Sequence, residues 1–220
     1  MKLVDTLPEQ HLLESILDLT KPPMPPECER LHYLLSTPFR YDAPYPAGSR
    51  FRRAGFTAGV FYASATATTA VAEMAFHRLL FFADSPDTPW PSDAGDYTAF
   101  SARFRTRAAL DLTRAPFSAE RKRWTHPTAY EPCQAMADAA REAGVDAIRH
   151  PSARDPEGIN MALLTCRAFA AREPLARQTW RLGLNAYGVR AVCDFPDAHL
   201  EFIREAFAND PRIRELRWER

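Results

Sequence analysis

GSRFRRAGFTAGVFYASATATTAVAEMAFHRLLFF, residues Gly48–Phe82, decides how this chain is read. It opens with the closely spaced Arg50, Arg52 and Arg53, passes through the strand-like GVFYAS of Gly59–Ser64, and enters an apolar helix expected over Ala67–Phe82. Ser64 or Thr66 can cap that helix by accepting from its exposed amides. Val71, Met74, Ala75, Phe76, Leu79, Leu80, Phe81 and Phe82 leave the helix no polar face, which predicts burial all round. Within it stands Glu73, a carboxylate that requires a partner, a cavity or a shifted pKa. A structural pairing with His77 or Arg78 is the plain explanation; a functional carboxylate is the other. Arginine, tyrosine and glutamate brought together in this way suit the gripping of a phosphorylated sugar.

Upstream of this stretch, STPFRYDAPYPAGSRFRRAG is a loop by composition, carrying Arg40, Tyr41 and Tyr45. Guanidinium forks match phosphate oxygens and tyrosine faces stack on rings, although a solvated basic loop has the same composition. Residues 9–19 have the apolar spacing of an amphipathic helix, which Pro22, Pro23, Pro25 and Pro26 bring to an end. Residues 1–26 are thus expected to be a helical arm and linker, and residues 27–220 a single domain. A further short helix is expected over Glu27–Leu35.

Downstream, strands are expected over Tyr97–Arg105, Ala109–Leu112, Val145–His150 and Ile159–Cys166, with a helix over Glu131–Ala143 stopped by Gly144. Gln178–Leu184 and Gly188–Phe195 look like two strands around a turn, and Asp197–Ala208 like a closing helix. Ser152 follows a strand, where ligand contacts favour loops. It lies in no nucleophile elbow, so a covalent serine mechanism is not expected.

The 220 residues are 46% hydrophobic, enough for a core. Twenty-eight basic residues balance 28 acidic ones, which argues against nucleic acid as a direct partner. Cys28, Cys133, Cys166 and Cys193 form no metal-binding pair and are expected to be free thiols in a reducing cytosol. No segment approaches the ~20 apolar residues of a membrane helix, and a cytoplasmic protein is expected.

Three ordered motifs, SRFRRAG with VFYAS, TAVAEMAF, and IRHPSARDPEGINMALL, resemble the RES domain, most strongly over residues 31–169. The resemblance implies an α+β fold, a mixed or antiparallel β core flanked by helices, similar to the ADP-ribosyltransferase fold. It also implies a site built from Arg52, Tyr62, Glu73 and Ser152, with Arg50 as the alternative to Arg52. Arg40, Tyr41 and Arg50 are then the expected dinucleotide-binding residues.

By the same resemblance the chain is expected to be the toxin of a toxin–antitoxin pair. It would degrade NAD at the nicotinamide–ribose bond, with water or inorganic phosphate as acceptor and without a metal. A helix-turn-helix antitoxin is the expected partner, and the apolar N-terminal arm makes a homodimer reasonable. Two other functions stay open: transfer of ADP-ribose to a protein target, and a non-catalytic nucleotide-binding module.

Overall fold

In the computed structural model, residues 4, 6–20, 23–40, 46 and 48–219 are described, with the backbone alone at 18–20. Tyr41 lies outside them. The chain runs α1 (Leu7–Thr20), α2 (Tyr33–Ser36), β1 (Phe61–Ser64), α3 (Ala67–Asp84), β2 (Gly95–Phe100) and β3 (Ala109–Asp111). It continues with α4 (Arg121–Trp124), α5 (Glu131–Glu142), β4 (Ala147–Pro151), β5 (Ile159–Leu163), β6 (Arg177–Asn185), β7 (Gly188–Cys193), β8 (Ala198–Ile203) and α6 (Pro211–Arg214). The architecture is α+β, with helices flanking two four-stranded sheets.

The first sheet has the order β1-β5-β4-β3 and is antiparallel except for the β3–β4 pair. The second, β2-β6-β7-β8, is antiparallel throughout. Helix α3 begins at the extended Thr66, whose side chain accepts from the Thr69 amide at 3.1 Å and so caps it. Its Val71, Ala75, Phe76, Leu79 and Phe82 pack on Trp180, Leu182, Val189 and Ala191 of the second sheet. The opposite side is open: Met74 and Phe81 are exposed. The expectation of burial all round therefore fails, because one sheet covers one side of a helix only.

A second core joins α5, through Cys133, Ala137 and Ala140, to Ile148 and Ala162 on one face of the first sheet. The small side chains admit close helix–sheet approach, and Gly144, at φ +71°, ends the helix in a conformation that favours glycine. On the other face Phe61, Met161 and Leu163 pack with Leu35, Phe39 and Cys28. That same face and the β2–β6 end of the second sheet, with Tyr97, Ala99 and Trp180, enclose a cavity of about 860 Å³.

Two further expectations are corrected. Residues 198–203 are strand β8, not part of a closing helix: Ala198, Leu200 and Phe202 turn inward while His199, Glu201 and Ile203 are exposed, a period of two. Cys28 and Cys166 form a disulfide across 138 residues, and only Cys133 and Cys193 are free. Disulfides persist chiefly in oxidising compartments, so the cysteines no longer argue for a reducing cytosol. No described helix is long and apolar enough to cross a membrane.

Candidate active site

Strand register assembles the centre of the site. Ser64 on β1 pairs with Asn160 on β5, which pairs in turn with His150 on β4, so the three side chains share one face. Ser64 Oγ donates to Asn160 Oδ1 at 2.7 Å, and this fixes the amide with its nitrogen outward. Asn160 Nδ2 then donates to Glu73 Oε1 at 2.6 Å. Glu73 does not pair with His77 or Arg78, the plain explanation offered above.

The second donor to the same oxygen is Ser152, whose Oγ lies 2.7 Å from Glu73 Oε1. Ser152 is buried and follows β4 directly; its Oγ accepts from the amides of Arg154 and Asp155, both at 3.0 Å. With one proton given and two received, the hydroxyl is saturated and its orientation is set. The turn presses on α3 a second time, where Thr69 Oγ1 donates to Asp155 Oδ2 at 2.8 Å. Gly158 permits this approach, since a Cβ there would come within 2.6 Å of the Thr69 methyl. Both donors to Glu73 use Oε1, and no hydrogen bond from a described residue reaches Oε2.

The arginine loop separates its members. Ser49 and Arg52 bond to each other through both backbone amides, closing a tight turn. Arg50 is directed inward, Nη1 donating to the carbonyls of Trp124 at 2.8 Å and His126 at 3.0 Å, with its guanidinium 4.9 Å from the centre of the Tyr130 ring. Arg52 folds onto its own loop, donating to the Thr57 hydroxyl and carbonyl, and Arg53 pairs with Asp138 at 2.6 Å. The Tyr62 hydroxyl accepts from the Phe51 amide at 2.9 Å and shares a 2.8 Å hydrogen bond with Ser49. Tyr62 therefore ties the loop carrying Arg50 to β1, while 42% of its surface stays exposed. Arg40 follows Phe39, whose ring packs on the other face of the sheet, and neither Glu73 nor Ser152 bonds to it.

A cationic layer lies beneath. The Arg154 guanidinium stacks 3.3 Å from the Phe76 ring centre and pairs with Asp210 at 3.3 Å; these side chains are 3% and 0% exposed. Arg212 pairs with the same carboxylate at 2.8 Å. Burial drives the Asp210 pKa up, but the Arg212 hydrogen bond and the two guanidinium charges prevail and hold it below the usual carboxylate range. Burial lowers the pKa of Arg154, which lies within electrostatic reach of both Glu73 and Arg50. His77, one turn beyond Glu73, is lowered by desolvation and by Arg154 and Arg212, against the opposing pull of Glu73. Burial pushes His150 down to about 3, keeping it neutral; its Nδ1 bonds the Pro151 carbonyl.

Of the residues expected from sequence, Glu73 and Ser152 are thus in direct contact, while Tyr62 and Arg50 belong to one loop–strand unit and the Arg52 side chain folds back on that loop toward Thr57. Sequence reasoning missed Asn160, Ser64, Arg154, Asp210 and Arg212. Arg154 stood inside the Ser-x-Arg of the third motif, and Asn160 is the one amide in the apolar run INMALL; Asp210 and Arg212 carried no local signal. Among the described residues no group of three His, Cys, Asp or Glu could hold a metal. A carboxylate braced through one oxygen suits charge stabilisation and hydroxyl binding through the other.

A search of curated proteins returns no match. The family model of the RES domain matches residues 24–185, a span holding Glu73, both of its donors and the whole arginine loop, and the chain belongs to the RES domain family.

Proposed function

We propose that this chain cleaves the nicotinamide–ribose bond of NAD, with water or phosphate as acceptor, as the toxin of a toxin–antitoxin pair. RES membership is consistent with an NAD-related toxin–antitoxin role in general. The observation that carries the finer reading is the brace on Glu73: Ser152 and Asn160 hold one oxygen at 2.7 and 2.6 Å.

Cleavage returns the bonding electrons to the pyridinium nitrogen, so nicotinamide departs neutral and needs no proton. Positive, oxocarbenium-like character develops on the ribose. Glu73 Oε2 accepts from a ribose hydroxyl and stabilises that charge, while Ser152 and Asn160 fix the carboxylate. Arg50 offers cationic charge to the diphosphate, and the exposed Tyr62 ring borders the nicotinamide end. A covalent nucleophile is not required; positioning and electrostatics supply the rate. The helix-turn-helix antitoxin covers this opening with a carboxylate-bearing segment matched to the arginines.

The test is nicotinamide release from NAD by the purified, antitoxin-free protein, with and without phosphate. Release by wild type, reduced about 100-fold or more in Glu73→Gln, is the expected result. An inactive wild type under both conditions sinks the reading.

A further inference from the structure

The RES match ends at residue 185, yet a residue beyond it reaches the candidate site. Asp210, fully buried at the start of α6, is the carboxylate against which Arg154 is held. Arg154 is joined twice to the catalytic pair. Its backbone amide donates to Ser152 Oγ at 3.0 Å, and its guanidinium lies on Phe76, three residues beyond Glu73 on α3. Since Thr69 holds Asp155 on the other side, the Ser152 turn meets α3 before, at and after Glu73. The Arg154 clamp is the one of these three that depends on the C-terminal segment.

We propose that Asp210 is a positioning residue for the Ser152–Glu73 pair, acting through Arg154, so that the segment C-terminal to the RES match completes the site. The order of action is Asp210 carboxylate, Arg154 guanidinium, Arg154 amide, Ser152 hydroxyl, Glu73 carboxylate. Removing the Asp210 charge leaves Arg154 buried without its counter-ion, and a buried unpaired cation moves toward water. The amide of Arg154 moves with it and releases Ser152. Arg212, 35% exposed on the outer side of Asp210, keeps that carboxylate charged without touching Ser152.

This rests on the NAD-cleaving reading for its kinetic arm only. In Asp210→Asn, kcat for nicotinamide release is expected to fall about 100-fold, the scale of a small misplacement of catalytic groups, with KM little changed. Asp210→Glu, which keeps the charge, recovers most of it. The second readout is hydrogen exchange: the Arg154 and Asp155 amides, both bonded to Ser152 Oγ, exchange faster by about tenfold, the equivalent of one hydrogen bond, relative to α5 amides. If Asp210→Asn does not fold, Arg154→Ala removes the side chain that lies on Phe76 and leaves Asp210 paired with Arg212; the same two effects are expected. Exchange at 154 and 155 that tracks α5, or unchanged kcat in a folded variant, overturns the proposal. An inactive wild type removes the NAD reading, and the exchange result then decides the clamp alone.

Discussion

Replacing Asn160 by aspartate sets a second carboxylate where an amide now donates to Glu73 Oε1 from 2.6 Å. Two unit charges about 3 Å apart at an effective dielectric of about 20 repel by about 5 kcal/mol. That corresponds to about four pKa units, which rotation of the new side chain reduces to about two or three. The introduced carboxyl therefore titrates well above the ~3.9 of an unfolded aspartate. The sign follows from linkage. Between the unfolded and the raised folded value the native state binds more protons, so stability falls as pH rises through that window and stays low above it. Asn160→Asp should be destabilised little relative to wild type at pH 4, and by about 3 to 4 kcal/mol more at pH 7.5. Urea unfolding of both proteins across pH 4 to 8 measures the difference. A penalty of the same size at both ends refutes the arrangement, because it means that no carboxylate faces position 160.

Arg50 and Arg52 should differ sharply. Arg50→Lys removes the fork that reaches into the site and is expected to slow NAD cleavage about 100-fold, whereas Arg52→Lys, which disturbs the two hydrogen bonds to Thr57 within the loop, stays within about tenfold of wild type in steady-state rates. Equal losses would return the choice between them to open. His150, with its pKa near 3 against 6.5 unfolded, withdraws stability as pH falls below 6.5 because the unfolded chain takes up the proton first. Between pH 7 and pH 4 that amounts to about 3 kcal/mol, so the stability curve of His150→Phe should gain on wild type over this interval. Parallel curves would show that burial of His150 is not what sets its acid response.

Much of the fold was legible where one period ruled a segment. Helix α3, strand β1, helix α5 and the β6–β7 hairpin all declare themselves by spacing and by a cap or turn residue. Strand β8 did not, because Ala198, Glu201 and Phe202 are also at home in a helix, and only pairing with β7 selects period two. Glu73 was legible as a lone carboxylate in an apolar helix; its donors were not, since Asn160 and Ser152 reach it from 87 and 79 residues away. An extended loop would have put Arg50 and Arg52 on one side. The tight Ser49–Arg52 turn, preceded by Gly48 at φ +64°, breaks that alternation and sends them apart. The Cys28–Cys166 disulfide, closed over 138 residues, is likewise a property of the folded chain and not of any local pattern.

Strand β1 is only four residues long, yet its two sides answer to different parts of the molecule. Tyr62 and Ser64 bond to the arginine loop and the Glu73 brace, while Phe61 and Ala63 pack with Leu35 and Phe39, and all four border the space between the sheets. Substitutions on the cavity side can be absorbed by that space. A single inserted or deleted residue cannot, because a shift of one position exchanges the two sets at a stroke. It would set an alanine opposite Asn160 in place of Ser64 and turn the tyrosine hydroxyl away from the arginine loop. Libraries of length variants should therefore show β1 as a sharp minimum of tolerance, flanked by a loop and a cavity face that accept change far more readily.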